Sequence, residues 1–370
     1  MKKRIAVLPG DGIGEEVMSQ ALRVLEAVED RFGHEFEKVH GLVGGAAFDK
    51  YGSHMPNETL DQAYNSDAIL FGSVGGPVAD MNLPKWKNCE ANSILNLRKT
   101  FKFNANFRPV KIFPELQDIS PLRAELIQRG VDMVFVRELL GDCYFGEHKQ
   151  YTENGKRFGT DQIIYDEDQI SSIAHVAFKA SRNRRKKVTS VDKANVLDSS
   201  KLWRTVVTEV SKDYPDVQLE HMLVDNCAMQ IIRDPSQFDV VVTTNMFGDI
   251  LSDAAAVLPG SLGLLASASL NKDGFGLYEP PGGSAQDIAG TGAANPVAQI
   301  LSVAMMLRYS FALEEEAAAI EQAVSAALGS GCRTRDIFKK SSSSDTPTKL
   351  VNCEEMTDEV LSYLKRPALV

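Results

Sequence analysis

Val7-Leu8-Pro9-Gly10-Asp11-Gly12-Ile13-Gly14-Glu15-Glu16 continues an apolar run that begins at Ile5 and leads into a helical pattern. A strand that enters a glycine-rich turn and leaves as a helix is where a dinucleotide would rest in a Rossmann unit. The spacing speaks against that fold. The glycines read GxGxG rather than GxGxxG, and the next strand-like run ends at Val39-His40 with no acid to hold a ribose.

Outward from this corner, strand-like and helical patterns alternate. "RIAVL" precedes a helix from about Glu15 to Phe32. "EFEKV", a helix near Glu58 to Asn65 and "DAILFGSVGG" follow. Later come "VDMVFVREL", a helix from about Asp168 to Arg182, "KKVTSVD", a helix from Ser199 to Tyr214, and "FDVVVTTN". Strands separated by helices of this length predict an α/β protein with much parallel sheet. Residues 145–164 are polar around Asn154-Gly155 and read as an exposed hairpin, either an arm that grips a second subunit or a surface loop. Pro296 opens a strongly apolar, buried helix, "SSSSDTP" from Ser341 is a linker or turn, and "DEVLSYLKR" is a closing helix.

A chain of 370 residues is long enough for two domains with real cores. Its formal net charge of −10 repels nucleic acid and anionic lipid, so no role in binding either is expected. The basic run Arg182 to Lys187 is read as a solvated helix end. Five widely spaced cysteines without a CxxC suit a reducing compartment and oppose a disulfide framework or a thiolate zinc site. The apolar run after "MKKR" is too short for a signal peptide, and the uncharged stretch Ala254 to Leu270 is broken by Pro259-Gly260. The expectation is a cytoplasmic protein without a membrane span.

Several residues are of types that carry chemistry. In "TTNMFGDILSDAAAVLPG" a β-rich run ends at Asn245 and a helix is expected from about Gly248. Asp249 and Asp253, four apart, share one face of it; they either favour the helix dipole or supply oxygen to a hard cation such as Mg²⁺ or Mn²⁺. Asp225, at the start of another helix, is an N-cap or a third carboxylate ligand. Lys193 directly follows a strand, where α/β sites collect, and is a general base or a plain surface lysine. Arg98, Arg108 and Arg137 are suited to gripping a di- or tricarboxylate, since guanidinium forks bind carboxylates bidentately. Tyr144 is an acid near the same pocket or a packed core residue.

Taken in order, "LPGDGIGEE", "GSVGGP", "LRK", "NFRPV", "VRELLGDCYFG", "VDKANVL", "VDNCAMQ", "TTNMFGDILSDAAAVLPGSLGLL" and "YEPPGGSAQDIAGTGAANP" resemble the β-decarboxylating dehydrogenases, the isocitrate/isopropylmalate dehydrogenase family, over nearly the whole chain. The resemblance implies that family's two-domain fold with a mixed parallel and antiparallel sheet. Residues 1–103 plus 261–370 would form the cofactor-side domain. Residues 104–260 would form the substrate and metal side, with the arm at about 145–164 and the dimer interface. It implies Arg98, Arg108 and Arg137 as substrate-carboxylate ligands, Tyr144 and Lys193 as the acid/base pair, and Asp225, Asp249 and Asp253 as ligands of Mg²⁺ or Mn²⁺. In a homodimer of this kind, Lys193 and Asp225 reach into the neighbouring subunit's site, and Asp225 also borders the substrate.

Substrate choice follows from the stretch before Arg98. Isocitrate-type relatives carry serine and asparagine where Asn92 and Ile94 stand. Ile94, Leu95 and Val196 instead imply an apolar wall suited to 3-isopropylmalate, which would leave an extra carboxylate unpaired. Tartrate, malate or homoisocitrate is the alternative substrate. The resemblance further implies NAD bound by Gly76, Glu90, Glu279, Gly283, Ser284, Ala285, Asp287, Ile288 and Asn295. Asp287 would accept from ribose hydroxyls and repel a 2′-phosphate; NADP-using relatives carry lysine and tyrosine at 287 and 288. Gly282 and Gln286 stand where many relatives have histidine and proline. The glycine corner would then lie beside the cofactor cleft without being the adenosine reader.

Overall fold

The computed structural model describes residues 1–339 and 347–365; residues 341–346 of the expected linker lie outside them. Besides a short pair, Cys332–Arg333 with Lys349–Leu350, its strands are β1 Lys2–Gly10, β2 Glu35–His40, β3 Ala68–Ser73, β4 Ala105–Lys111, β5 Asp132–Glu138, β6 His148–Glu153, β7 Lys156–Asp161, β8 Lys187–Asp192, β9 Gln218–Leu223, β10 Val240–Thr243, β11 Ser267–Leu270 and β12 Gly276–Glu279. Two compact units share them. Unit 1 comprises Met1–Thr100, Phe113–Ser120 and the chain from Pro259; unit 2 comprises Phe101–Ile112 and Pro121–Leu258. The chain thus crosses between units near 100 and 259, and the excursion 113–120 packs with unit 1.

In unit 1 the strand order is β2-β1-β3-β12-β11. All these neighbours pair parallel except β11 with β12. Strand β3 (AILFGS) is buried along its whole length, as an apolar run inside a parallel sheet should be. In unit 2 the order is β4-β5-β10-β8-β9, with β4 antiparallel to β5 and the others parallel. Parallel pairing aligns the carboxyl ends of β5, β8, β9 and β10 at one edge of that unit. Arg137, Lys193, Asp225 and Asn245 all leave from those ends, where α/β sheets collect their sites.

The β6–β7 hairpin turns at Asn154-Gly155, both at positive φ, and its strands are exposed on every residue. Its stiffening comes from Tyr151 and Phe158, stacked with ring centres 5.1 Å apart. Helices begin within a residue or two of expectation, with two exceptions that have physical causes. The closing helix starts at Cys353 because Asn352 and Glu355 form a capping box. The helix expected from Gly248 starts at Asn245, its first N–H groups being capped from elsewhere in the chain: Asn245 N donates to Tyr165 Oη and Met246 N to Asp142 Oδ2.

The basic run is an exposed helix end at Arg182, Asn183, Arg185 and Lys186, but it also makes structural ties. Arg184 donates to Asp239 at 2.8 Å and to the Asp132 carboxylate at 2.6 Å, and Arg185 N donates to Asp239. These arginines tie the starts of β5, β8 and β10 together, because Asp239 is buried and needs charged partners.

The opening corner is as tight as its glycines suggest. Gly10 and Gly12 have φ of +75° and +61°. A Cβ on Gly12 would sit 2.0 Å from the Ser284 carbonyl oxygen, while Ile13 N donates to that oxygen at 2.9 Å. Replacing Gly12 with alanine combines left-handed strain with a backbone clash, so G12A should lose at least about 2 kcal/mol. Urea unfolding measures it, and a loss below about 0.5 kcal/mol would contradict the geometry.

Candidate active site

The densest cluster of candidates lies in unit 2. Arg137, at the end of β5, is only 1% exposed. Its Nε and Nη2 donate to Asn245 Oδ1 at 3.0 and 2.7 Å, and Nη1 meets Asp249 Oδ1. Gly248 makes this approach possible, since a Cβ there would fall 2.6 Å from Arg137 Cγ. Arg108 on β4 donates through Nη1 to Asp253 at 2.5 Å and to Ser252 at 2.9 Å, and its Nη2 lies 3.2 Å from Asp249. Tyr144 Oη donates to the second Asp249 oxygen at 2.8 Å, and its ring lies beneath the Arg137 guanidinium. Burial, then the Asp249 charge, pushes the Tyr144 hydroxyl up to about 12, so it holds its proton at neutral pH.

Two guanidinium groups and a phenol thus converge on two carboxylates one helical turn apart. Arginine forks filled by carboxylates are equally suited to a substrate's carboxylates. Lys193 and Asp225 form a separate pair, Nζ to Oδ1 at 2.6 Å, and that hydrogen bond holds the Asp225 carboxyl below its usual range. Asp225 is exposed in the first turn of the helix Val224–Arg233, where Leu223 rather than Asp225 is the N-cap. Among the described residues no three His, Cys, Asp or Glu side chains gather closely enough to hold a metal. Asp249 and Asp253 supply two hard oxygen donors in one chain, and Asp225 stands apart from them.

In unit 1, Arg98 sits buried on the helix Ile94–Thr100 and donates to Glu279, at the end of β12, at 3.3 Å. Its Nε is buried with no partner among the described residues. Glu279, a cofactor ligand on the resemblance, here holds the arginine. Ile94 is buried, Leu95 is half-buried and Glu90 is exposed, while Val196, in unit 2, is 64% exposed. Gly76 lies under the Trp86 indole, which occupies the space a Cβ would need.

Unit 1 also holds a cavity of ≈ 160 Å³ lined by Ile13, Leu262, Gly283, Ala285, Ile288 and Asn295, among others. Apolar walls with a few polar groups suit a flat base. Asp11, buried in the opening corner, accepts from Gly45 N, Ala46 N and Gly75 N. Gln286 donates to Gly75 O at 2.8 Å, tying the loop of Ser284 and exposed Asp287 to the Gly75 turn. A proline at 286, as the resemblance leads one to expect, would have no side-chain donor for this bond.

Four supporting residues escaped the sequence reading: Glu138, Asp142, Tyr165 and the amide of Asn245. Glu138 neighbours Arg137 in an apolar strand, and a second charge there was the available signal. It is buried and accepts from Leu140 N and Gly141 N at 2.6 and 2.8 Å. Burial still raises its carboxyl from 4.5 to about 7.

With this geometry in place, the comparisons with known proteins are specific. Residues 4–360 match the family model described as isocitrate/isopropylmalate dehydrogenase. The chain is 54% identical over 362 residues to a 3-isopropylmalate dehydrogenase of Geobacter metallireducens, covering 98% of this chain and 99% of that protein. It is 52% identical to that of Bacillus subtilis, covering 98% and 100%. Among solved structures, isocitrate dehydrogenase from Methylococcus capsulatus superposes with a TM-score of 0.84 at 32% identity, covering 98% of this chain and all of that one. Fold and site define a two-unit α/β protein with a carboxylate-gripping centre. The chain belongs to the isocitrate/isopropylmalate dehydrogenase family.

The Glu138 shift has a testable sign. The folded protein keeps a proton that the unfolded chain has lost between about pH 4.5 and 7, so this group's contribution is full below 4.5 and vanishes as pH rises to about 7. E138Q has no such titration. The stability of E138Q minus that of wild type should therefore rise from pH 5 to pH 8, by up to roughly 3 kcal/mol. Thermal unfolding across that range measures the difference, and a flat one would place the Glu138 pKa near its ordinary value.

Proposed function

We propose that the chain is an NAD-dependent 3-isopropylmalate dehydrogenase. It would convert (2R,3S)-3-isopropylmalate to 4-methyl-2-oxopentanoate, CO₂ and NADH in leucine biosynthesis. The observation that carries this reading is the convergence of Arg108, Arg137 and Tyr144 on Asp249 and Asp253. Relatives of that name, more than half identical over nearly the full chain, support the choice of substrate.

Asp249 and Asp253, with Asp225 from a second copy, would hold Mg²⁺ or Mn²⁺, and three carboxylates are a fitting hard-oxygen set. The cation, when bound, lowers the cost of negative charge on the substrate's C2 oxygen. Arg98, Arg108 and Arg137 bind and orient the two carboxylates. Lys193 of the second copy, as the neutral amine once it has released Asp225 and its own proton, would take the C2 hydroxyl proton directly or through a water as C2 passes its hydride to NAD. The ketone so formed accepts the electron pair left when the C3 carboxylate departs as CO₂. Tyr144, still protonated at neutral pH, gives its proton to that carbon. Ile94, Leu95 and Val196 provide apolar surface for the isopropyl group.

The cofactor reading rests on the unit 1 cavity and its loop. Ile288 and Asn295 line that cavity, which would take adenosine, and Asp287, next to Ile288 in sequence, would accept from ribose hydroxyls and oppose a 2′-phosphate. Gly76, Glu90, Glu279, Gly283, Ser284 and Ala285 complete that proposed set. Homodimerisation is supported by apolar side chains left exposed on neighbouring helices. Met229 and Ile232 are 60% and 63% exposed on Val224–Arg233, and Ile250 is exposed on Asn245–Ala256. No described helix is long and apolar enough to cross a membrane, and all five cysteines are free. We infer a cytoplasmic setting from the free thiols.

The test is NADH formation from 3-isopropylmalate, isocitrate, malate and tartrate, with and without a chelator. Isopropylmalate should be turned over best, and chelation should abolish the rate. Turnover of isocitrate but not isopropylmalate would overturn the substrate, and chelator-resistant turnover would overturn the metal. Y144F and K193A should each lower kcat by roughly 100-fold or more while leaving the protein folded.

A further inference from the structure

We propose that Asp142 and Tyr165 are a buried positioning pair that holds Arg137 and Tyr144 in register; the inference builds on the reaction assigned above. Asp142 has φ of +72° and is 2% exposed. A non-glycine residue there is strained, so its side chain must offset the cost. It does so by satisfying three donors. Oδ1 accepts from Cys143 N at 2.8 Å, and Oδ2 accepts from Met246 N at 3.1 Å and from Tyr165 Oη at 3.2 Å.

Tyr165 carries the link further. Its oxygen accepts from Asn245 N at 2.8 Å, and Asn245 Oδ1 is the atom that holds Arg137 Nε and Nη2. Asn245 Nδ2 returns to Gly141 O at 3.2 Å, closing the circuit onto the turn that carries Tyr144. The Tyr165 ring is fixed against Gly141, where a Cβ would come within 2.4 Å of it, and lies edge-on to Trp203. One hydroxyl and one carboxylate therefore set the end of β5, the turn 139–144 and the start of the helix that carries Asp249 and Asp253. Neither residue touches the acids that would bind metal or the atoms that would react; they act through Asn245 and the turn.

The experiment compares D142G, D142N and Y165F. Glycine accepts the backbone conformation without strain but removes every acceptor, asparagine keeps an oxygen at the site, and Y165F removes only the hydroxyl. D142G and Y165F should lose roughly tenfold or more in kcat, with a smaller change in the KM for NAD, because a small misplacement of reacting groups is costly. D142N should recover most of the rate.

A second readout needs no substrate. In wild type the Arg137 Nε–H, bound to Asn245 and shut from water, should give a slowly exchanging NMR signal, assigned by its loss in R137K. That signal should shift or broaden in D142G and Y165F and persist in D142N. Wild-type kcat together with an unchanged Arg137 signal in folded D142G and Y165F would overturn the pair. If the wild type fails to use isopropylmalate, the assigned reaction falls, while the arginine signal still decides the positioning role. If D142G fails to fold, Y165F carries the same decision.

Discussion

A guanidinium removed from water at the end of a buried strand has to be engaged on every side, and Arg137 is such a group. Its Asn245 partner stands at the head of a helix whose first N–H groups Tyr165 and Asp142 cap, so the arginine is tied to where that helix begins. The helix start in turn sets Asp249 and Asp253, one turn apart on the same face. Gly248 keeps the contact close, and Asp249 then receives the phenol of Tyr144. One desolvated cation thus links Asn245, Asp249 and Tyr144 into a single cluster of unit 2.

Unit 1 is organised by the opposite device, the absence of side chains. At Gly10 and Gly12 a Cβ would collide with the carbonyls of Ser73 and Ser284, so the first turn presses directly on two other loops. Asp11, between them, gathers three N–H groups from two further segments. A carboxylate saturated by backbone donors is a fixed point rather than a catalyst. The glycines that suggest a phosphate loop are therefore spent on packing loop against loop. On the proposed cofactor reading, nucleotide recognition would fall to residues nearly three hundred positions further on.

Elements whose pattern follows one dominant force were readable in the sequence. The apolar runs of β3, β5 and β10 and the Asn154-Gly155 hairpin are local signals, and the structure places them within three residues. The substrate-side candidates were readable because charged residues at the ends of apolar strands have few bland explanations, and Arg137 is the clearest case. What was hidden is long-range hydrogen bonding. Nothing near Asn245 announces that Tyr165 and Asp142, some 80 and 100 positions earlier, cap its helix. Nothing in "RNRRKK" reveals the buried Asp239 that turns a charge run into a structural tie. Such partners are set by which strands become neighbours, a property of the sheet as a whole.

The placement of the acids bears on why such a site would be shared between copies. Three carboxylates converging in one chain without a cation would repel one another and would need several compensating charges. This chain avoids that cost: Asp249 and Asp253 are neutralised by arginines, and Asp225 is neutralised by Lys193 in the loop that follows β8. Each group is therefore stable before assembly. The helices that carry these acids also carry Met229, Ile232 and Ile250, whose exposed apolar surface would be buried by pairing. On the dimer reading, hydrophobic burial supplies the free energy that brings the third carboxylate to the other two. Catalytic competence and subunit association would then rest on the same pair of helices.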